Sequence, residues 1–312
     1  MKRVLITEPL HAIFIEKMQK HGLQTVQLPS HSERQDVLRA LSNVHGIALR
    51  SRFRIDREMI DAAPELQVIG RAGSGLELID LNYANQKGIH CLNSPEGNCG
   101  SVAEHVVGMI LTLMHQIRKA DAEMQQGIFD RAGNWGSEIG GKTLGIVGLG
   151  HTGSALAQRL NGWNVRILAV DPYRSEPWPK YVQHASMAEL QQHSDIVSFH
   201  VPLTSETSGI ISPEWLKNLS KMPILVNAAR GGLARSSDLA DALEQGFLGG
   251  LCLDTFEEEA LGFEALRLHS SALQRLAGHP KVVMTPHVAG WSQESWFGIS
   301  SVLADKMISK LG

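Results

Sequence analysis

The chain has 312 residues, 43% of them hydrophobic and 20% charged, with a formal net charge of −3. Such a length accommodates two domains with a core each, and the composition excludes disorder as the ground state. The near-neutral charge gives no electrostatic reason for a nucleic-acid or anionic-membrane partner. Cys91, Cys99 and Cys252 are an odd set without CxxC spacing, which speaks against a disulfide scaffold or a zinc site and for a reducing compartment.

In chain order, the start from Met1 to Pro9 has an apolar run too short for a signal peptide, and a strand is expected at Val4–Thr7. Further strands are expected near Ile47–Arg50, Val68–Gly70 and Ile89–Leu92, with helices around Ala12–Lys20, Glu33–Leu41 and Arg57–Ala62 between them. Ser101-Val102-Ala103-Glu104 reads as a capping box. The apolar stripe Val102, Val106, Met109, Leu113, Ile117 and Ala120 then predicts one long helix that carries the chain from one domain to the next. Its longest apolar stretch, Val106–Met114, cannot cross a bilayer, and the cytoplasm is the expected location.

A second strand series is expected at Thr143–Val147, Val165–Val170, Ile196–His200, Ile224–Asn227, Gly250–Asp254 and Val282–Met284. The segment Leu261–Pro280 is patterned as a helix through Leu266, Leu273 and Leu276, and a final helix, Ser292–Leu311, returns the chain to the first domain. Strands alternating with helices in this way predict an α/β fold with parallel sheets. A single continuous domain would have to hold both strand series in one core.

Between the strand ending at Val147 and a helix from Ser154 lies Gly148-Leu149-Gly150-His151-Thr152-Gly153. In that context each glycine answers its own steric need. Gly148 permits the turn, Gly150 admits a pyrophosphate to the backbone, and Gly153 lets helix and strand approach. Free amides at the helix start would face the phosphates. Asp171, 18 positions past Gly153, ends the next strand, where a carboxylate accepts both ribose hydroxyls and repels a 2′-phosphate. NAD is therefore expected over NADP, with Arg174 nearby as the feature that weakens the distinction. A glycine turn with a surface aspartate is the bland alternative.

Arg230, Glu259 and His287 each follow a predicted strand, where ligands bind in open α/β sheets. Singly they read equally well as a surface ion pair, a solvated acidic run and a turn. Together they are a cation for a carboxylate, a carboxylate partner and an acid/base.

These residues stand in motifs whose order resembles the D-isomer-specific 2-hydroxyacid dehydrogenases, and within them the D-3-phosphoglycerate dehydrogenases. The motifs are Arg71-Ala72-Gly73-Ser74-Gly75, Asn93-Ser94-Pro95-Glu96-Gly97-Asn98, the glycine loop, His200-Val201-Pro202-Leu203-Thr204, Asn227-Ala228-Ala229-Arg230-Gly231 and Thr285-Pro286-His287-Val288-Ala289-Gly290. The resemblance implies a flavodoxin-like substrate domain of residues 1–97 and 285–312, with a Rossmann NAD-binding domain, residues 98–284, inserted in it and the active site in the cleft between them. It implies that Arg230 binds the substrate carboxylate and 2-oxygen, that His287 is the acid/base, and that Glu259 hydrogen-bonds His287. Gly73, Ser74 and Gly75 would offer amides to the carboxylate, and Arg50, Ser51 and Arg52 would face the rest of the substrate, with Arg71 and Arg54 as further cations. Leu149, His151, Thr152, His200, Val201, Pro202, Thr207, Ala228, Ala229, Asp254 and Gly290 would join the glycines and Asp171 around NAD, with no metal.

The leading substrate pair is then 3-phosphoglycerate and 3-phosphohydroxypyruvate, in serine biosynthesis, without the regulatory domain of longer relatives. Hydroxypyruvate, glyoxylate, a D-lactate-like acid or formate are alternatives, and a non-catalytic NAD-binding corepressor-like scaffold is the alternative of another class. The resemblance also implies a homodimer, with Phe129 and Trp135 in the arm Gly127–Gly140 as anchors and Trp135 reaching toward the partner's active site. Ala260 stands where the family usually has proline, which leaves Glu257 and Glu258 as competitors for the role of Glu259.

Overall fold

The computed structural model describes residues 1–259 and 270–312. The helical pattern read through Leu266, and the departure at Ala260, lie outside the described residues. The chain forms two compact units, residues 1–99 with 291–312, and residues 100–259 with 270–290. The return crossing falls after Gly290 rather than after Met284, because the Asp254 carboxylate of the second unit binds the amides of Val288 and Ala289.

The first unit holds five strands: β1 (Arg3–Ile6), β2 (Gln24–Gln27), β3 (Gly46–Leu49), β4 (Val68–Arg71) and β5 (His90–Asn93). They pair in parallel in the order β2-β1-β3-β4-β5, the flavodoxin-like order. Period-two alternation sends Val4 and Ile6 of β1 to one face and Leu5 to the other, and both faces are covered. One cover is the helix Gln293–Leu311, capped by Ser292, whose hydroxyl accepts the amide of Ser295 at 3.0 Å. It lies so close to β4 that a Cβ on Gly70 would come within 2.6 Å of Met307 Sδ.

The second unit holds β6 (Thr143–Val147), β7 (Arg166–Val170), β8 (Val182–His184), β9 (Ile196–Phe199), β10 (Ile224–Asn227), β11 (Gly250–Leu253) and β12 (Val282–Met284). All pairs are parallel, in the order β12-β11-β10-β9-β6-β7-β8. Counted from β6 this is the Rossmann order 3-2-1-4-5-6 with one further parallel strand. The strands β2 and β8 escape the sequence pattern because both are sheet edges: Gln24, Gln27, Gln183 and His184 are exposed, so no apolar run marks them.

Two expectations about the linking helix are corrected. The helix begins at Cys99, so Ser101 lies inside its first turn and its hydroxyl donates to the carbonyl of Ala289 at 2.9 Å, while Glu104 pairs with Arg159 at 3.0 Å. Ser101 and Glu104 therefore do not form the expected capping box. The helix also ends at Met114, and Gln116 takes a left-handed φ of 54° before a second helix, Ile117–Gln125, which buries none of its residues. The apolar stripe thus stays in the core through Met109, whereas Leu113 is only partly buried and Ile117 is 52% exposed. Among the described residues no helix is long and apolar enough to cross a membrane.

Leu303 has no exposed surface and packs with Val4, Phe14, Met307 and Leu311. Leu303→Ala is expected to destabilise the protein by about 2–5 kcal/mol through lost burial and a residual cavity. The measurement is the urea midpoint, and an unchanged midpoint would contradict this packing.

Candidate functional site

In the second unit the polar residues gather where strands end. Gly148 follows β6 and adopts φ +91°; a Cβ there would meet Val201 Cγ1 at 2.8 Å and the backbone of His200 at 2.9 Å. A Cβ on Gly153 would lie 2.1 Å from the Gly148 carbonyl oxygen, so the helix His151–Leu160 can approach only with glycine at that place. A Cβ on Gly150 would meet nothing within 4 Å. The loop is therefore packed at its two ends and open at its middle glycine, above a helix whose first amides have no side-chain cap.

Asp171, the first residue past β7, accepts the amide of Leu149 at 2.8 Å on one oxygen and that of Tyr173 at 3.0 Å on the other. It holds the loop and stands where a ribose would hydrogen-bond. Arg174 is folded inward: it donates to the Leu149 carbonyl and to Ser154 Oγ, and lies 3.5 Å from Glu176. Thr152 contributes through its side chain as well as its backbone, since Thr152 Oγ1 lies 3.2 Å from His200 Nδ1, and Ser198 Oγ lies 2.8 Å from His200 Nε2. Burial pushes the His200 imidazole down to about 4, which leaves it neutral near pH 7. Thr207 closes the next turn by donating to the Pro202 carbonyl at 2.6 Å. These residues fit a dinucleotide: an open glycine, a helix start without a side-chain cap and a carboxylate one strand away.

The candidate reacting residues Arg230, Glu259 and His287 lie in the same unit. Asn227, buried at the end of β10, accepts the Ala229 amide at 3.1 Å and donates to the Arg230 carbonyl at 2.9 Å, which shapes the turn through Ala228 and Ala229 that presents Arg230. Glu259 accepts the Phe256 amide at 2.7 Å with Oε1 and the His287 Nδ1 proton at 2.7 Å with Oε2. Glu257 instead accepts the Ser236 amide at 2.7 Å, and Glu258 takes the hydroxyls of Ser236 and Ser270 at 2.8 and 2.9 Å. Three consecutive glutamates thus hold three different sets of partners, and one of them meets the histidine. Asp254, fully buried, accepts the Val288 and Ala289 amides at 2.9 and 2.8 Å. Its carboxylate grips the loop that carries His287 and Gly290. Among the described residues no group of His, Cys, Asp or Glu is arranged to hold a metal ion.

The first unit carries the other predicted residues. Gly73 takes φ +144°, donates its amide to Ser94 Oγ at 3.1 Å and accepts the Ser94 amide at 2.9 Å. Ser74 donates to Asn98 Oδ1 at 3.2 Å and accepts from Asn93 Nδ2 at 2.6 Å, so the segment through Gly75 is held on both sides. Glu8, which no sequence motif singles out, is buried and accepts the amides of Arg50, Ser51 and Arg52 at 2.8, 3.0 and 3.0 Å. The Arg50 guanidinium lies over the rings of Trp291 and Trp296, 5.1 and 4.5 Å from their centroids, while Arg52 is turned onto the Ser30 carbonyl and the Phe53 ring. A lone glutamate followed by proline carries no signal of its own, and the two tryptophans are distant from Arg50 in sequence.

Residues 107–289 match the family model described as D-isomer specific 2-hydroxyacid dehydrogenase, NAD binding domain. The D-3-phosphoglycerate dehydrogenase of Archaeoglobus fulgidus is 33% identical over 309 residues, which are 98% of this chain and 57% of that protein. That of Bacillus subtilis is 32% identical over 315 residues, 99% of this chain and 57% of its own. The chain thus spans little more than half the length of these relatives. Among solved structures, a Thermus thermophilus protein superposes with a TM-score of 0.83 at 27% identity, covering 99% of this chain and 96% of that one.

Asp171→Ala is expected to weaken NADH binding by about tenfold, through loss of the hold on Leu149 and of the ribose hydrogen bonds, and to narrow the gap to NADPH. Fluorescence titration with both cofactors measures this, and equal affinities in the unmutated protein would contradict it.

Proposed function

The chain belongs to the D-isomer-specific 2-hydroxyacid dehydrogenases, and on that premise we propose that it interconverts a D-2-hydroxy acid and its 2-oxo acid with NAD. The observation that carries this reading is the 2.7 Å contact between His287 Nδ1 and Glu259 Oε2, in the unit that also holds the glycine loop. When bound, NAD would carry the hydride exchanged at substrate C2. With Nδ1 bound to Glu259, proton exchange with the 2-hydroxyl falls to His287 Nε2, and the carboxylate stabilises the imidazolium. Arg230 binds the substrate carboxylate and stabilises charge developing on the 2-oxygen. The cytoplasm is the proposed location.

For the substrate we propose the pair 3-phosphoglycerate and 3-phosphohydroxypyruvate, supported by the relatives' activity and by the Arg50 cation. The engagement of Arg52 with Ser30 favours a second reading, hydroxypyruvate or glyoxylate, since it removes one cation from a phosphate.

We further propose a homodimer. Phe129 and Trp135 are 82% and 85% exposed, and Ile117 and Met124 are exposed beside them in sequence, more apolar surface than a free segment normally presents.

NADH oxidation with a panel of 2-oxo acids tests the activity. Turnover is expected, with kcat falling about a hundredfold or more in His287→Ala at unchanged NADH affinity. No turnover of any acid would leave only the cofactor-binding scaffold. A preference for 3-phosphohydroxypyruvate over hydroxypyruvate that Arg50→Ala removes supports the phosphorylated substrate, and the reverse preference rejects it. Sedimentation is expected to show a dimer that Phe129→Asp with Trp135→Asp dissociates; a monomer at micromolar concentration would refute the assembly.

A further inference from the structure

We propose that His105 is a positioning residue for the His287 loop, acting through the Thr285 hydroxyl and the Asp254 carboxylate. The dehydrogenase reading supplies what the loop does; how the loop is held is argued from the second unit alone. Asp254 has no exposed surface, and a carboxylate removed from water must recover its hydration as hydrogen bonds. Its Oδ1 accepts the Val288 amide at 2.9 Å and the Thr285 hydroxyl at 2.5 Å, and its Oδ2 accepts the Ala289 amide at 2.8 Å. These groups bracket His287, whose φ of 54° is disfavoured for a residue with a Cβ and persists only where the surroundings enforce it.

Thr285 has one hydroxyl proton, and it goes to Asp254. Its oxygen then accepts, and the atom placed to donate is His105 Nε2, at 3.0 Å from Oγ1 and 3.7 Å from Asp254 Oδ1. His105 therefore closes a chain that runs from its ring to the hydroxyl, the carboxylate and the loop amides, in which each bond polarises the next. The hydroxyl also has a weaker acceptor in reach, Met109 Sδ at 3.9 Å. Without the His105 donor the choice between the two is less biased, and a turn toward sulfur would release Asp254 Oδ1 from its shortest bond. His105 is suited to set that choice, because it sits half-buried in the helix Cys99–Met114, whose Val102, Val106 and Met109 are fixed in the core.

His105→Leu removes the donor at similar bulk, whereas His105→Gln keeps an amide N–H within reach of the hydroxyl. Two readouts are compared on the whole protein: hydrogen exchange of the amides of residues 287–290, and kcat against the KM for NADH. The leucine variant is expected to speed exchange at Val288 and Ala289 by about tenfold, and to lower kcat severalfold with KM nearly unchanged. The glutamine variant should restore both. Thr285→Val should reproduce the loss, and His105→Leu should add nothing in that background, since both interrupt one chain. Parent-like exchange in His105→Leu, no rescue by glutamine, or additive effects would overturn the proposal. Should the leucine variant not fold, Thr285→Val decides alone, and parent-like exchange there overturns it equally. Exchange needs no substrate, so it judges the proposal even if no 2-oxo acid is turned over.

Discussion

A parallel sheet covered on both faces has no room for unpaired polar groups along its strands, so the candidate site residues stand past strand ends. Arg50, Gly148, Asp171, His200 and Asp254 each occupy the first position after a strand. Within the strands, Leu5, Ile47, Ile146, Val197 and Leu251 are fully buried. One residue further on, the ladder stops and the backbone is free to turn. The same constraint acts in both units, although their strand orders differ.

Turning the chain at a buried strand end leaves amides without partners, and carboxylates satisfy them here. Glu8 accepts three consecutive amides from Arg50 to Arg52, Asp171 accepts those of Leu149 and Tyr173, and Asp254 those of Val288 and Ala289. Hydrogen bonds to an ionised acceptor are shorter and stronger than neutral ones, so one carboxylate fixes a loop that would otherwise sample several conformations. Glu259 extends the device to a side chain, with one oxygen on the Phe256 amide and the other on the His287 ring. Loop position and imidazole orientation are thereby set by the same kind of bond.

Much of the architecture was legible. Most of the strands announce themselves as short apolar runs, because a strand buried on both faces, as β3, β6 and β9 are, must be largely apolar. The glycine loop was legible because its end glycines answer steric demands: a Cβ on Gly153 would lie 2.1 Å from the Gly148 carbonyl oxygen, and one on Gly148 2.8 Å from Val201 Cγ1. What escaped was set by context. The edge strands at Gln24 and Val182 have too little burial to mark the sequence. Ser101 to Glu104 matched a capping box that the fold bypassed, since the helix starts earlier and Ala289 offers Ser101 another partner.

The sequence by itself determined the α/β class, the order of the motifs and the residue types available for chemistry, because periodicity and glycine placement are local properties of a chain. It could not choose among Glu257, Glu258 and Glu259, which are chemically identical neighbours. Only the tertiary structure separated them, by sending the first two to Ser236 and Ser270 and the third to His287. The same holds for Glu8 beneath Arg50, for the tryptophans beside it, and for His105 beside Thr285, 180 positions away. Contacts of that separation depend on how sheets and helices stack, and no local pattern encodes them.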